Sequence, residues 1–293
     1  MFTSYEFEKI NSEYNRLIKQ KQTKALKIWA PIFLISVIVI VIIIFSTDWI
    51  KSEPGSILVP VYGGIAVIGS LVAILVSKFG ISQKPAFNYL YKEIYDKINI
   101  DSGNHIKYYP FEKTDNDFVE RGGLFSRYAR VKTNRHVIGN FEGTEYHILD
   151  CILITGSGKN QTVHLNGIYY YFKEKSNSLL QVRSNGRPHY KGYKFDKVDS
   201  SDIFKVYVEE GKTIRGNDRQ YIHNLSEIKN RLNAKRIYFS KTIDEMHFAY
   251  VPVKQIRKQN NLTLQRLNEL YSFFEDEVIV VKELMTITAD YNF

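Results

Sequence analysis

The turn Thr155-Gly156-Ser157-Gly158-Lys159-Asn160 is the first place where residue types and spacing could do chemistry. Glycines ahead of a lysine can cradle phosphate on backbone N–H groups. That pattern needs a glycine five places before Gly158, where Leu153 stands, and Ser or Thr after Lys159, where Asn160 stands. The segment also leads into a strand-like run rather than a helix, so it reads as a hairpin turn. The histidines are His105, His136, His147, His164, His189, His223 and His247, and none pairs at the i, i+4 spacing of a helical metal site. His147, Asp150 and Cys151 lie close enough to raise a nucleophile or metal reading. On an extended strand, however, His147 and Cys151 share one face and Asp150 takes the other. Cys151 is the lone cysteine, nothing resembles a thiolate metal site, and no metal or cofactor is expected.

Two basic stretches are better candidates for binding. The first holds Arg121, Arg127, Arg130, Lys132 and Arg135 around Gly122-Gly123-Leu124-Phe125-Ser126. The second holds Arg183, Arg187, Lys191, Lys194 and Lys197, with His189, Tyr190 and Tyr193 among them. Cations interleaved with aromatics suit nucleic acid or anionic lipid headgroups. The chain has 293 residues, a net charge of +9 and a pI of about 9.3, which favours anionic partners. A membrane beside the basic segments makes lipid the simpler reading and leaves nucleic acid unfavoured. A solvated surface loop accounts for the same charges without any partner.

The elements that position these residues begin with a membrane hairpin. Residues 28–46 carry no charge, and 35–45 are almost pure Ile and Val. Nineteen residues at about 1.5 Å each span roughly 28 Å, close to the hydrocarbon thickness. Trp29 and Trp49 bracket the run at interfacial positions, and Pro31 falls in its first turn. Residues 57–77 form a second uncharged run that Lys78 closes, giving a second span at 57–78 after an extracytoplasmic loop at 47–56. A cleavable signal peptide does not fit, because the preceding segment is long and of mixed charge and no small-residue cleavage site follows. Lys9, Arg16, Lys19, Lys21, Lys24 and Lys27 precede the first run, and Lys84, Lys92 and Lys97 follow the second. Lys51 is the loop's one basic residue, so both termini are expected in the cytoplasm, in a bacterial inner membrane. Gly63, Ala66, Ser70, Ala73 and Ser77 line one face of the second span. They suit packing on the first span, or a homo-oligomer interface. No ionisable residue lies inside either span, which disfavours transport.

Around the spans, Phe7, Ile10, Tyr14 and Leu17 share a helical face within residues 1–27, as do Phe87, Leu90, Tyr91, Ile94 and Ile98 within 79–100. Residues 101–117 read as a linker. From 118 to 293 the texture is that of an α+β domain. Strands are expected at 128–133, 145–155, 161–172, 179–184, 204–208, 237–240 and 247–253, with helices at 224–232 and from 262 to about 289. A curved antiparallel sheet closed by a C-terminal helix, as in pleckstrin-homology-like domains, satisfies that order.

The chain also resembles a family of bacterial membrane proteins of unknown function. The segments that carry the resemblance are His136-Val137-Ile138-Gly139 after Ser126, His164-Leu165-Asn166-Gly167-Ile168-Tyr169, and Phe204-Lys205-Val206-Tyr207 before a helix at 225–232. A strand pair at 236–240 and 247–253 completes it. Leu165 stands where that family carries Phe. The resemblance implies two N-terminal spans and a cytoplasmic α+β domain, and it implies no catalytic residues. The expected function is therefore a membrane-tethered, non-catalytic module that binds anionic headgroups or a protein partner. The alternative is a membrane-bound, hydrolase-like enzyme using His147, Asp150, Cys151 or His164.

Overall fold

The computed structural model describes residues 1–45, 68–69, 84–110, 117–125, 130–175, 179–190, 192–200, 203–214, 216–253 and 262–289. The loop at 47–56, the small-residue face of the second span (Gly63, Ala66, Ser70, Ala73, Ser77), Arg127 and Lys191 all lie outside the described residues. The chain forms two compact units, one of residues 3–90 and one of residues 1–2 with 91–293.

In the first unit helix α1 runs from Ser4 to Phe45 without a break, 42 residues or about 63 Å. It starts where Thr3 and Glu6 close a capping box. The Thr3 amide donates to the Glu6 carboxylate at 2.7 Å, and the Glu6 amide donates to the Thr3 hydroxyl at 3.3 Å. Pro31 therefore sits inside a helix rather than in a first turn, which removes one helical hydrogen bond. The polar half buries the face expected of it at Ile10 and Tyr14. Tyr14 meets Phe87 of α2 (Lys84–Ser102) edge-on, with centroids 6.0 Å apart. The apolar half is exposed: Ile28, Trp29, Ile32, Leu34, Ile35, Ile38 and Ile42 keep 37% to 61% of their surface open. Among the described residues no helix is long and apolar enough to cross a membrane. Within 28–45 the side chains at 36, 39–41 and 43–45 are outside them.

The second unit is an α+β fold built on one antiparallel sheet of nine strands, in the order β1-β2-β3-β4-β9-β8-β5-β7-β6. The strands are β1 Lys107–Pro110, β2 Arg130–Phe141, β3 Thr144–Thr155, β4 Thr162–Lys173, β5 Leu180–Arg183, β6 Phe195–Ser200, β7 Lys205–Glu209, β8 Ala234–Lys241 and β9 Glu245–Pro252. Three helices complete it: α3 Asp117–Arg121, α4 Gly216–Arg231 and α5 Leu264–Ala289. The expected β3–β4 hairpin forms, with Gly156 and Gly158 at positive φ in its turn. Residues 107–110, expected as linker, are instead an edge strand that is short and ends in proline, as suits a protected edge. Strand β6 is the other unexpected one. Its burial and charge pattern is that of a solvated edge, so it carries little hydrophobic periodicity.

A bulge sets which residues face which way. Thr133 pairs with Cys151 and Arg135 with Asp150, so Asn134 is the extra residue on β2. The bulge turns Arg135 toward α5. There its guanidinium makes a two-pronged ion pair with Glu277 at 2.6 and 2.8 Å, both groups fully buried. Tyr95 of α2 bonds the same guanidinium, Tyr250 of β9 donates to Glu277 at 3.3 Å, and the Phe274 ring centroid lies 4.3 Å from Arg135. One charged knot thus ties β2 and the central strand β9 to two helices. Burial disfavours the charge on Arg135, but the adjacent Glu277 carboxylate overrides this and holds it charged.

Candidate functional site

The opposite face of the sheet carries a polar row across otherwise apolar packing. Strand register aligns His147, Tyr171, His247, Ser240, Gln181, Tyr207 and Lys197 on β3, β4, β9, β8, β5, β7 and β6. The next row, Leu149, Tyr169, Ala249 and Tyr238, ends on Arg183. The cover over these rows is α3 with the following Gly122-Gly123-Leu124-Phe125 strap. Val119, Leu124 and Phe125 join the core cluster beneath it.

Glu245 is the hub. It accepts Arg121 Nε at 2.9 and 3.1 Å, the Tyr171 hydroxyl at 3.2 Å and His247 Nε2 at 3.1 Å. Partial burial pushes its carboxyl up, but the His247 and Arg121 bonds outweigh that and hold it at about 2. His247 is wholly buried, which lowers its pKa and keeps the imidazole neutral despite Glu245. The neutral tautomer that donates to Glu245 leaves Nδ1 to accept the Tyr169 hydroxyl at 2.9 Å. Hydroxyl, imidazole and carboxylate stand in the order of a nucleophile triad. Tyr169 and His247 are both 0% exposed, however, and a Cβ on Gly122 would fall 2.5 Å from the Tyr169 oxygen and 2.6 Å from the His247 ring. No substrate reaches that hydroxyl, so the relay acts as a clasp that pins the strap.

Arg183 completes the clasp from the other side. It donates to the Leu124 carbonyl at 2.7 Å and to Gln181 Oε1 at 3.0 Å, while Gln181 donates to the carbonyls of Gly123 and His189. Burial lowers its pKa.

The residues singled out in the sequence are therefore dispersed. Arg135 and Arg183, expected as headgroup contacts, are buried and bonded inward. Arg121 is committed to Glu245, and Arg130 donates to the Gly156 carbonyl at 3.1 Å while remaining exposed. Lys132, Arg187, Lys194 and Lys197 are exposed. Strands β2 and β6 stand seven places apart in the sheet, roughly 30 Å at about 4.8 Å per strand, so the two basic stretches are separate surfaces. The four residues of the enzyme alternative do not converge. Cys151 is buried with its thiol pushed up by desolvation, Asp150 faces the other side, and His164 bonds Thr155 at 2.5 Å beside the far hairpin. His147 stands instead at 3.0 Å from His136. Among the described residues no group of three or more His, Cys, Asp or Glu could hold a metal. His247 and Tyr169 were legible only as β-strand residues and Glu245 lay outside the expected strand at 247–253, because their meeting depends on the register of β4 with β9 and on the strap.

Two outcomes follow for the clasp. Gly122→Val forces a side chain into Tyr169 and His247, and should lower stability by about 1–3 kcal/mol in urea unfolding, the usual cost of overpacking. Acid should act in two steps. His247 titrates below its ordinary 6.5 in the fold, so its stabilising effect is whole above pH 6.5 and is lost as pH falls below that. Glu245 titrates at about 2 against an ordinary 4.5, so its effect is whole above pH 4.5 and is lost as pH falls toward 2. Melting temperature measured from pH 7 to 2 should show both, and Glu245→Gln should remove the lower step.

No family model, curated protein or solved structure matches the chain.

Proposed function

We propose that the chain is a membrane-tethered module, without chemistry of its own, whose sheet domain meets anionic lipid headgroups on the cytoplasmic side. The observation that carries this is the apolar half of α1. At 100° per residue, the exposed side chains from Ile28 to Ile42 cover more than half of the helix circumference. A docking helix offers one stripe, whereas lipid wets a helix on many sides. The uncharged second run at 57–77 and the basic flanks support a two-span hairpin with both termini inside.

Headgroup binding would use the cations that remain exposed: Arg187, Lys194 and Lys197 near β6, and Arg130 and Lys132 at β2. Each cation near an anionic surface contributes about 1 kcal/mol, and the attraction is screened within roughly 10 Å at 0.1 M salt. The pleckstrin-homology-like plan belongs to the same proposal. An antiparallel sheet with a C-terminal helix supports it, although the strand order ends in two open edges, β1 and β6.

The test uses the full chain in nanodiscs of neutral phosphatidylcholine, with or without phosphatidylserine. Amide exchange should slow at residues 187–197 in the anionic discs at low salt and recover at high salt. Equal exchange in both compositions would refute headgroup binding and leave a protein partner as the reading to pursue.

A further inference from the structure

The knot around Arg135 holds one cation and two carboxylates. Glu277 takes both prongs of the guanidinium. Asp150 pairs in register with Arg135 on the same face of the sheet, and the hydrogen bond given to it is a long one, 3.4 Å from Asn134 Nδ2. A carboxylate offers about four acceptor positions, so Asp150 has capacity that Asn134 does not fill. Its position is not a closed one. Asp150, Asn134 and Asn166 line a cleft of about 190 Å³, whose apolar wall includes Ile152, Ile168 and the Phe273 ring. Two features of the backbone shape this place. The β2 bulge puts Asn134 at the rim, and Gly167 lets β4 approach β9 so closely that a Cβ would sit 2.1 Å from the Tyr250 carbonyl oxygen.

The cleft combines three kinds of group. A carboxylate whose neighbouring guanidinium already belongs to Glu277 attracts positive charge. Two carboxamides supply hydrogen-bond acceptors. An aromatic ring among aliphatic side chains accepts a flat apolar body or a cation on its face. We propose that this cleft is a binding site for a small organic cation, an amidinium or ammonium group carried on a compact apolar body. The volume admits a ligand smaller than the drug-sized molecules that fill pockets of about 300 Å³ or more. Burial raises the Asp150 carboxyl, with Arg135 pulling the other way, and a bound cation would add to that downward pull. The cleft is lined by none of the cations assigned to headgroups, so the site is independent of that proposal.

The probe is benzamidine, titrated calorimetrically into the full detergent-solubilised chain at neutral pH, with benzamide as its uncharged counterpart. Benzamidine should bind at least tenfold more tightly than benzamide. Asp150→Asn should abolish the difference while keeping a wild-type melting temperature, because it removes a half-buried charge and keeps the shape. Phe273→Ala should weaken benzamidine on an otherwise intact Asp150. No binding to the wild type, equal binding of the two probes, or unchanged discrimination in Asp150→Asn would each overturn the proposal. The comparison of two probes on the wild type needs no variant to fold.

Discussion

Arg135→Met should lower the unfolding free energy by about 3–5 kcal/mol, the cost of leaving a buried partner charge without its counterion. The Glu277 carboxylate is fully buried and has the Arg135 guanidinium as its two-pronged partner. Once that guanidinium is gone, the Tyr250 hydroxyl still donates to it, at 3.3 Å. Tyr95 loses its charged partner in the same change, and the Phe274 ring loses the cation stacked 4.3 Å from its centroid. Glu277→Leu should cost a similar amount by stranding Arg135. The double variant Arg135→Met, Glu277→Leu should recover most of the loss, because replacing both charges by apolar groups of similar volume leaves nothing unpaired. Chemical denaturation of the three variants checks this. A loss under 1 kcal/mol for either single change, or an additive double, would show that the pair is not the lock between sheet and helices.

Much of the sheet could be read directly from residue pattern. Strands β3 and β4 have long runs of aromatic and β-branched residues, and the Gly156–Gly158 turn between them has a single reading. Helix α5 was legible where Leu267, Leu270, Tyr271, Phe274 and Val278 share its buried face, whereas the β-branched run at 278–281 also read as a strand. Strands β1 and β6 were not legible, because an edge strand of four or six residues buries too little to impose alternation. The fate of the basic residues was hidden for a different reason. Arg135 and Arg130 look alike in the chain, and a bulge one residue before Arg135 sends it into the core. Arg183 is drawn inward by the carbonyl of Leu124, 59 positions away, which no local pattern brings near it. The Tyr169–His247–Glu245 relay joins strands 78 positions apart in sequence, so its residues give no motif to find.

The second large effect concerns α1. Ile32, Ile35 and Ile38 are exposed along its apolar half. A lysine near the centre of a membrane helix costs about 2.5–3.5 kcal/mol on insertion scales, so three together should cost roughly 9 kcal/mol. Ile32→Lys, Ile35→Lys, Ile38→Lys in one chain should therefore prevent the first crossing and invert the segment that follows it. Residue 52, which the proposed hairpin puts outside, would remain in the cytoplasm. Cys151 is buried, so a cysteine introduced at 52 can be read with little background.

That same reporter tests the tether itself. In intact cells the Ser52→Cys chain should react with a membrane-impermeant maleimide, while the triple-lysine chain carrying Ser52→Cys should react only after permeabilisation. If the chain with the native helix also reacted only after permeabilisation, residues 28–46 would not carry the protein across the bilayer, and the tethered-module account would be contradicted.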